Sequence, residues 1–182
     1  MAEHVCPPWL SFLLTNGFRR LAHDPDRILI RFLKAGDVAL DIGCGPGFFT
    51  VPMARRVGES GLVVAVDIHP AMLEKTRIRA ERAGVAGRIR LHLSRQDRLG
   101  IDLKADFALA FWMVHEVADR ARFFAEVLAA LKPGGRLLAV EPRLHVSERF
   151  FKGIVTAAES AGFALQGEET IRLSRAAVLR RG

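Results

Sequence analysis

Cysteines and long apolar runs are scarce in this sequence, which has two cysteines among 182 residues. Cys6 and Cys44 lie far apart along the chain, so we expect both thiols to be reduced. The apolar run at residues 9–14 is far shorter than the roughly 20 residues that cross a bilayer. The N-terminus also lacks the basic-then-apolar order of a secretory signal. We therefore predict a cytoplasmic protein without a membrane span.

Repeats and low-complexity tracts are also absent, and the composition is ordinary for a globular protein, with 50% hydrophobic and 26% charged residues. A chain of this length suffices for one domain with a full hydrophobic core and is short for two. The formal net charge of +7 suits nucleic-acid binding, but the arginines are scattered along the chain. We favour a solvated basic surface and keep nucleic acid as an alternative partner.

Short apolar strands alternate with amphipathic helices from residue 36 onward. Strands are predicted at residues 38–42, 62–66, 89–93, 107–111 and 136–140, and helices at 48–57, 70–83, 120–131 and 147–161. This alternation indicates an α/β fold, doubly wound around a mainly parallel sheet, and we assign residues 36–182 to it. Two last strands, 163–165 and 171–179, are joined by too few residues for a crossover, so the final strand should run antiparallel.

A glycine-rich turn follows the first predicted strand and has the sequence Asp-Ile-Gly-Cys-Gly-Pro-Gly over residues 41–47. Glycines at alternate positions let the backbone turn tightly and leave no Cβ where a ligand must approach the main chain. In open α/β sheets, ligands bind at this edge of the sheet. The turn therefore predicts a ligand site, and the alternative is a tight turn without a ligand.

The spacing of this turn differs from the G-x-G-x-x-G pattern of dinucleotide-binding domains. Its third glycine comes one residue early, Phe48 stands where that pattern has glycine, and Pro46 lacks an N–H group for a diphosphate. Asp41 adds a negative charge beside the turn. We expect a ligand with an ammonium group and a sulfonium rather than a diphosphate.

Asp67 ends the second predicted strand, twenty residues after Gly47. A carboxylate at this place accepts hydrogen bonds from both hydroxyls of a ribose. The alternative is that Asp67 caps the helix that begins near Pro70. The distance to the glycines favours a nucleoside ligand.

Four ordered motifs resemble those of the class I S-adenosylmethionine-dependent methyltransferases, over roughly residues 36–180. They lie at residues 41–47, 64–68, 106–117 and 131–137. The resemblance implies a Rossmann-like sheet of seven strands in the order 3-2-1-4-5-7-6 with strand 7 antiparallel. It also implies S-adenosylmethionine as cofactor, with S-adenosylhomocysteine as its product. The cofactor-binding positions that it implies are Asp41, Gly43, Cys44, Gly45, Gly47, Asp67, Ile68, Arg95, Gln96 and Phe111.

One motif departs from the family pattern. After the third strand the family usually places an acidic residue that binds the adenine amino group, whereas this chain has Ser94, Arg95 and Gln96, with an acid only at Asp97. Either Gln96 or Asp97 contacts the adenine, or Arg95 stacks on it, or the cofactor is held less tightly. Asp97 is equally consistent with a solvated loop charge.

The expected acceptor pocket lies beyond the fourth and fifth strands. Its predicted residues are Trp112, His115, Glu116, Glu141 and His145. Because the methyl group of a sulfonium is already activated, a base is needed only where the acceptor loses a proton. His115 is the candidate catalytic residue, as a base or by binding the acceptor, and the alternative is that it packs or caps a helix start. No tight ligand spacing supports a metal site.

Only about five residues, 142–146, separate the fifth strand from the next helix, where many small-molecule methyltransferases insert a substrate lid. We expect cover from an N-terminal helical segment of residues 1–35, from a second subunit, or from the substrate. The segment includes a predicted helix at residues 25–34. Its apolar residues would supply that cover or a homodimer surface, and they are Trp9, Phe12, Leu13, Leu14 and Phe18.

The leading hypothesis for function is methyl transfer by in-line displacement to a small molecule. A methyltransferase acting on RNA or protein is the second, although residues 110–113 lack the Asn/Asp-Pro-Pro-Tyr/Phe motif of nucleic-acid amino methylation. The third is a non-catalytic regulatory module that keeps the nucleoside pocket. Salt-dependent RNA binding would indicate the second, and cofactor binding without turnover would indicate the third.

Overall fold

The computed structural model describes residues 23–182. The predictions for Cys6 and for the apolar residues at positions 9–18 lie outside this range. Within residues 23–182, no helix has the length and apolarity that a membrane crossing requires.

The described chain alternates strands and helices as predicted. Its elements are α1 (Pro25–Leu29), β1 (Val38–Ile42), α2 (Thr50–Val57), β2 (Leu62–Asp67), α3 (Pro70–Arg82), β3 (Ile89–Leu93), β4 (Ala105–Phe111), α4 (Arg120–Ala130), β5 (Leu131–Pro142), α5 (Glu148–Ser160), β6 (Phe163–Glu169) and β7 (Ser174–Arg181). Two short 3₁₀ helices lie at Ala86–Arg88 and Val114–Glu116.

The strands form a seven-stranded sheet in the order β3-β2-β1-β4-β5-β7-β6. Strands β1 to β5 pair in parallel, and β7 is antiparallel to both β5 and β6. The predicted fold class and strand order are confirmed. The carboxyl ends of β1, β2, β4 and β5 therefore meet at one edge of the sheet, where the predicted site residues lie.

Two apolar clusters fill the two faces of the sheet. Alternation along β4 shows the division, because Phe107 packs with α1 and α2 on one face while Ala108 packs with α4 and α5 on the other. The ring of Phe32 stacks on that of Phe107 at 5.4 Å between centroids. The segment that follows α1 is thus part of the domain core.

Several predicted boundaries were wrong. The helix predicted at 48–57 begins at Thr50, the strand predicted at 136–140 spans Leu131–Pro142, and the strand predicted at 163–165 extends to Glu169. The first helix ends at Leu29 rather than at residue 34, because the Phe32 N–H donates to the Leu29 carbonyl three residues back and the Lys34 N–H donates to the Asp37 carboxylate. The last strand begins at Ser174 rather than at residue 171, since Leu173 has a φ of 59° that no strand accommodates.

Gly61 lies where the chain enters β2, and it offers a direct test of this packing. A Cβ there would lie 2.5 Å from the Cβ of Val57 and 2.7 Å from its carbonyl oxygen. We expect Gly61→Ala to lower the free energy of unfolding by about 1–3 kcal/mol through overpacking. Urea denaturation measures this loss. In the matched control Gly87→Ala, the new Cβ meets nothing within 4 Å, and equal losses in the two variants would refute the packing around Gly61.

Candidate functional site

The glycine-rich turn after β1 adopts the backbone conformation that its sequence predicts. Gly43, Gly45 and Gly47 have φ values of 71°, 53° and 78°, a region that side chains strongly disfavour. The N–H groups of Gly43 and Cys44 donate to the Val66 carbonyl at 2.8 and 3.0 Å, which ties the turn to the end of β2. A Cβ on Gly45 would meet nothing within 4 Å. Backbone is thus open to space at Gly45, whereas a Cβ on Gly43 would lie 2.9 Å from Met113 and one on Gly47 would lie 3.0 Å from Thr76.

The Asp67 carboxylate lies at the end of β2 and faces the same turn. Its Oδ2 accepts from the Gly45 N–H and its Oδ1 from the His69 N–H, both at 2.9 Å. Neither donor belongs to the first turn of α3, whose N-cap His69 makes no side-chain cap bond. Because an ionised carboxylate has about four acceptor sites, each oxygen keeps one for another donor. This arrangement suits recognition of two neighbouring hydroxyls rather than helix capping.

Two buried threonines form hydrogen bonds to residues of the turn, and neither was among the predicted site residues. The Thr50 hydroxyl donates to Asp41 Oδ2 at 2.5 Å, and the Thr76 hydroxyl donates to the Gly45 carbonyl at 2.8 Å. Thr76 lies on the buried face of α3 with Leu73 and Ala80. A polar residue on an apolar helical face was the sequence feature that would have identified it.

Cys44 is buried within the turn at 6% exposure. Burial raises the pKa of its thiol far above the ordinary range, and the nearby charges of Asp41 and Asp67 raise it further. The thiol is therefore protonated at neutral pH and is a poor nucleophile. Cys44 belongs to the loop as a small buried side chain.

The predicted adenine-binding residues lie on the loop after β3. Ser94 is buried and its N–H donates to the Asp67 carbonyl at 3.0 Å, so the loop starts beside Asp67. Ile68 is 39% exposed and presents an apolar surface there. Gln96 is exposed, and the ion pair between Arg95 and Asp97 is 3.3 Å long, with side chains that are 81% and 63% exposed. Such a pair contributes little stability and separates easily.

Phe111 and Trp112, at the end of β4, belong to the apolar packing on the α1–α3 face. The ring of Phe111 lies 4.4 Å from that of Phe49. Trp112 has a φ of 60°, and its indole N–H donates to the Ser174 hydroxyl at 3.0 Å. The Trp112 side chain is thus turned toward β7, and its place in the acceptor pocket stays a prediction.

His115, Glu116, Glu141 and His145 come together at the carboxyl ends of β4 and β5. Glu141 is fully buried, and its carboxylate accepts from the Val114 N–H at 2.9 Å and contacts His115 Nδ1. His115 Nε2 lies 3.4 Å from His145 Nε2 and 3.8 Å from Glu116 Oε1. His115 and Glu116 follow β4, whereas Glu141 lies near the end of β5 and His145 follows it. The cluster therefore forms because β4 and β5 are neighbours in the sheet.

The carboxylate of Glu141 decides which nitrogen of His115 holds the proton. A carboxylate only accepts hydrogen bonds, so Nδ1 of His115 donates and neutral His115 has its lone pair on Nε2. Burial acts to lower the pKa of His115, but the hydrogen bond to Glu141 and the charges of Glu141 and Glu116 outweigh it, so this pKa is raised above 6.5. The pair has the arrangement of an oriented base.

Histidine and carboxylate side chains such as these are common metal ligands. Among residues 23–182, no group of three His, Cys, Asp or Glu side chains has the arrangement that holds a metal ion. His115 instead contacts Glu141 through Nδ1 and His145 through Nε2, as in a series of hydrogen bonds.

Comparison with known proteins gives the class that this fold and glycine loop define. The family model described as "Methyltransferase domain" matches residues 33–171. The chain therefore belongs to this family and is an S-adenosylmethionine-dependent methyltransferase domain. A structure from Aquifex aeolicus described as a SAM-dependent methyltransferase shares the fold of this chain, with a TM-score of 0.86 at 21% identity. The match covers 97% of this chain and 99% of that chain.

Curated relatives are similar over part of their length. The ubiquinone/menaquinone biosynthesis C-methyltransferase UbiE of Azotobacter vinelandii is 36% identical over 133 residues, which are 72% of this chain and 52% of that protein. The enzyme of the same name from Marinomonas sp. is 33% identical over 110 residues, 60% of this chain and 44% of that protein. The chain spans about half the length of the curated relatives that it matches.

Proposed function

We propose that this chain transfers the methyl group of S-adenosylmethionine to a small molecule, at an atom that loses a proton as the methyl group arrives. The observation that supports this most directly is the His115–Glu141 pair at the carboxyl ends of β4 and β5. The similarity to proteins named as C-methyltransferases of quinone biosynthesis supports a small acceptor and a reacting carbon.

The residues around the glycine turn fit the proposed cofactor. S-adenosylmethionine supplies a methyl group that its positive sulfur has already activated. Asp67 keeps an acceptor site on each oxygen for the two ribose hydroxyls, and Gly45, where an added Cβ would meet nothing within 4 Å, lets the cofactor lie against the backbone. Asp41, buried beside the turn, places negative charge near the cationic end of the cofactor.

His115 acts in this proposal as the general base. Its Nε2 takes the proton from the acceptor, and the electron pair of the broken bond to hydrogen would form the bond to the methyl carbon. The carbon–sulfur bond of the cofactor would break at the same time and leave its electron pair on the sulfur, as in S-adenosylhomocysteine. Glu141 is a positioning residue, because it fixes the ring through Nδ1 and stabilises the imidazolium that forms. His145 and Glu116 border Nε2, so both are placed to contact the acceptor.

The first part of the N-terminal segment 1–35 is proposed to cover the acceptor pocket, because Leu29, Phe32 and Leu33 of this segment pack in the domain core instead. The described end of this segment supports the placement, because His23 lies against Phe111 and Trp112 with ring centroids at 5.1 and 5.0 Å. His23 Nε2 also contacts the Arg172 carbonyl at 2.9 Å. The chain thus enters the described domain directly beside the end of β4. A homodimer that shares this cover is the alternative.

The raised pKa of His115 leads to a pH-dependent prediction. A base works when neutral, so the rate of transfer should rise with pH through the pKa of His115, with its midpoint above 6.5. NMR titration of the imidazole nitrogens measures this pKa without an acceptor, and His115→Asn assigns the resonance. A midpoint below 6.5 would contradict the oriented pair.

Turnover itself is tested by release of S-adenosylhomocysteine with a panel of phenols and carbon acids. We expect product with some of these acceptors, and its loss in His115→Asn while cofactor affinity is retained. Wild-type protein that binds the cofactor and methylates none of them would contradict the proposal and favour a binding module.

A further inference from the structure

A groove lies between the N-terminal ends of α4 and α5, the two helices that follow the loops of His115 and His145. It has a volume of about 330 Å³ and is lined by Arg120, Ser147, Arg149, Phe150 and Gly153. Arg120 begins α4 directly after the loop that contains His115, and Ser147 follows His145 by two residues. The two loops that hold the histidines therefore lead straight into the walls of the groove.

The charges of this groove are not neutralised within the described chain. Of the ion pairs formed among residues 23–182, none involves Arg120 or Arg149. Their neighbours on the same helices differ, since Arg122 pairs with Glu126 and Lys152 pairs with Glu148. The groove thus concentrates two positive charges without a carboxylate.

Arg120 is also held in place. Its guanidinium lies over the Phe150 ring, 4.9 Å from the centroid, and its Nη1 donates to the Val117 carbonyl at 3.5 Å. A cation–π contact orients a guanidinium but does not cancel its charge. Phe150 is 40% exposed and adds an apolar wall to the groove.

We propose that this groove binds the anionic group of the methyl acceptor, a carboxylate or a phosphate on a small molecule. The proposal rests on the function proposed above, since it assigns the class of acceptor for that site. A guanidinium matches the two oxygens of a carboxylate or phosphate in bidentate geometry. An anion held here leaves the rest of a small acceptor to reach toward His115.

The number of unpaired cations favours a small anion over RNA. Arg143 donates to the Ser174 carbonyl at 2.8 Å and Arg175 to the Val146 carbonyl at 3.2 Å, and neither of them lines the groove. Nucleic-acid binding generally uses a row of phosphate contacts, about six to ten in strongly salt-dependent cases. Two arginines suit one anionic group.

Binding of benzoate and of inorganic phosphate tests the groove without turnover. In ¹H–¹⁵N spectra of the whole chain, we expect saturable shifts at Ser147, Arg149 and Phe150 amides with either probe. Arg149→Gln and Arg120→Gln should each weaken binding about tenfold, while S-adenosylmethionine affinity is unchanged. Arg120→Lys keeps the charge without the bidentate fork, so it should bind with intermediate affinity.

The matched controls are Lys152→Gln on α5 and Arg122→Gln on α4, both from existing ion pairs, and both should leave probe binding unchanged. Equal weakening in the controls, or no shift with either probe, would overturn the proposal. Salt-dependent binding of an RNA oligonucleotide that is lost in Arg149→Gln would replace the small anion by RNA. If neither probe binds the groove while cofactor binding and turnover are normal, the groove proposal fails and the proposed function stands, so the two proposals are tested separately.

Discussion

Asp67→Ala is expected to weaken S-adenosylmethionine binding by about 100-fold or more. The proposed ribose contacts use a carboxylate that is only 7% exposed and already fixed by the Gly45 and His69 N–H groups. Its removal deletes two charge-assisted hydrogen bonds to the ligand and also releases the glycine turn. Calorimetric titration with the cofactor measures the loss.

A matched control separates this effect from a change in overall charge. Asp102 is exposed on the loop before β4, and Asp102→Ala should bind the cofactor as the wild type does. Asp67→Asn keeps one acceptor oxygen, so its affinity for S-adenosylmethionine should lie between those of Asp67→Ala and Asp102→Ala. Wild-type affinity in a folded Asp67→Ala protein would rule out Asp67 as the ribose ligand.

Glu141→Gln is expected to lower kcat by about 100- to 10,000-fold, the range over which general bases contribute. The glutamine oxygen still accepts from the Val114 N–H, but its amide group then faces His115 Nδ1. Nδ1 must become the acceptor, which moves the ring proton to Nε2 and removes the lone pair that the mechanism uses. Cofactor affinity should not change.

The NMR titration of His115 gives an independent check on this variant. Loss of the Glu141 charge and hydrogen bond should lower the pKa of His115, because both raise it in the wild type. Glu159→Gln, at an exposed position on α5, is the control and should leave both kcat and this pKa unchanged. A Glu141→Gln protein with full kcat would show that the pair is structural.

The strands and the antiparallel last strand were predictable because their cues are local, whereas the order of the strands came from the resemblance to the family. Apolar runs marked the strands, and the short link between the last two strands required an antiparallel hairpin. The glycine turn was predictable for the same reason, since alternate glycines allow the positive φ angles found at Gly43, Gly45 and Gly47. Asp67 was placed correctly at the edge of the sheet because it ends a strand.

Contacts between distant parts of the chain were not predictable. His115 and Glu141 were both expected at the same edge, but their hydrogen bond joins residues 26 positions apart and depends on the path of two loops. The bond from the Trp112 indole to the Ser174 hydroxyl also joins distant residues, and it depends on a left-handed φ at Trp112 that the sequence did not indicate. The supports from Thr50 and Thr76 likewise arise only when helices pack against the turn.

Acceptor chemistry is where the geometry adds most to the family assignment. The oriented His115 base indicates an acceptor that gives up a proton, and the groove of Arg120 and Arg149 indicates one with an anionic group. Both features lie at the end of β5 and on the loops and helix starts that follow β4 and β5, outside the glycine turn and Asp67 that the cofactor would occupy. The cofactor and the acceptor are therefore assigned to separate residues, so cofactor binding and acceptor binding can be tested independently.

Calorimetric titration of the folded wild-type chain with S-adenosylmethionine and with S-adenosylhomocysteine tests the central claim most directly. The structure predicts that both ligands bind at one site per chain and that each excludes the other, because they share the nucleoside contacts of Asp67 and the glycine turn. Absence of binding by both ligands to the folded protein would contradict the account.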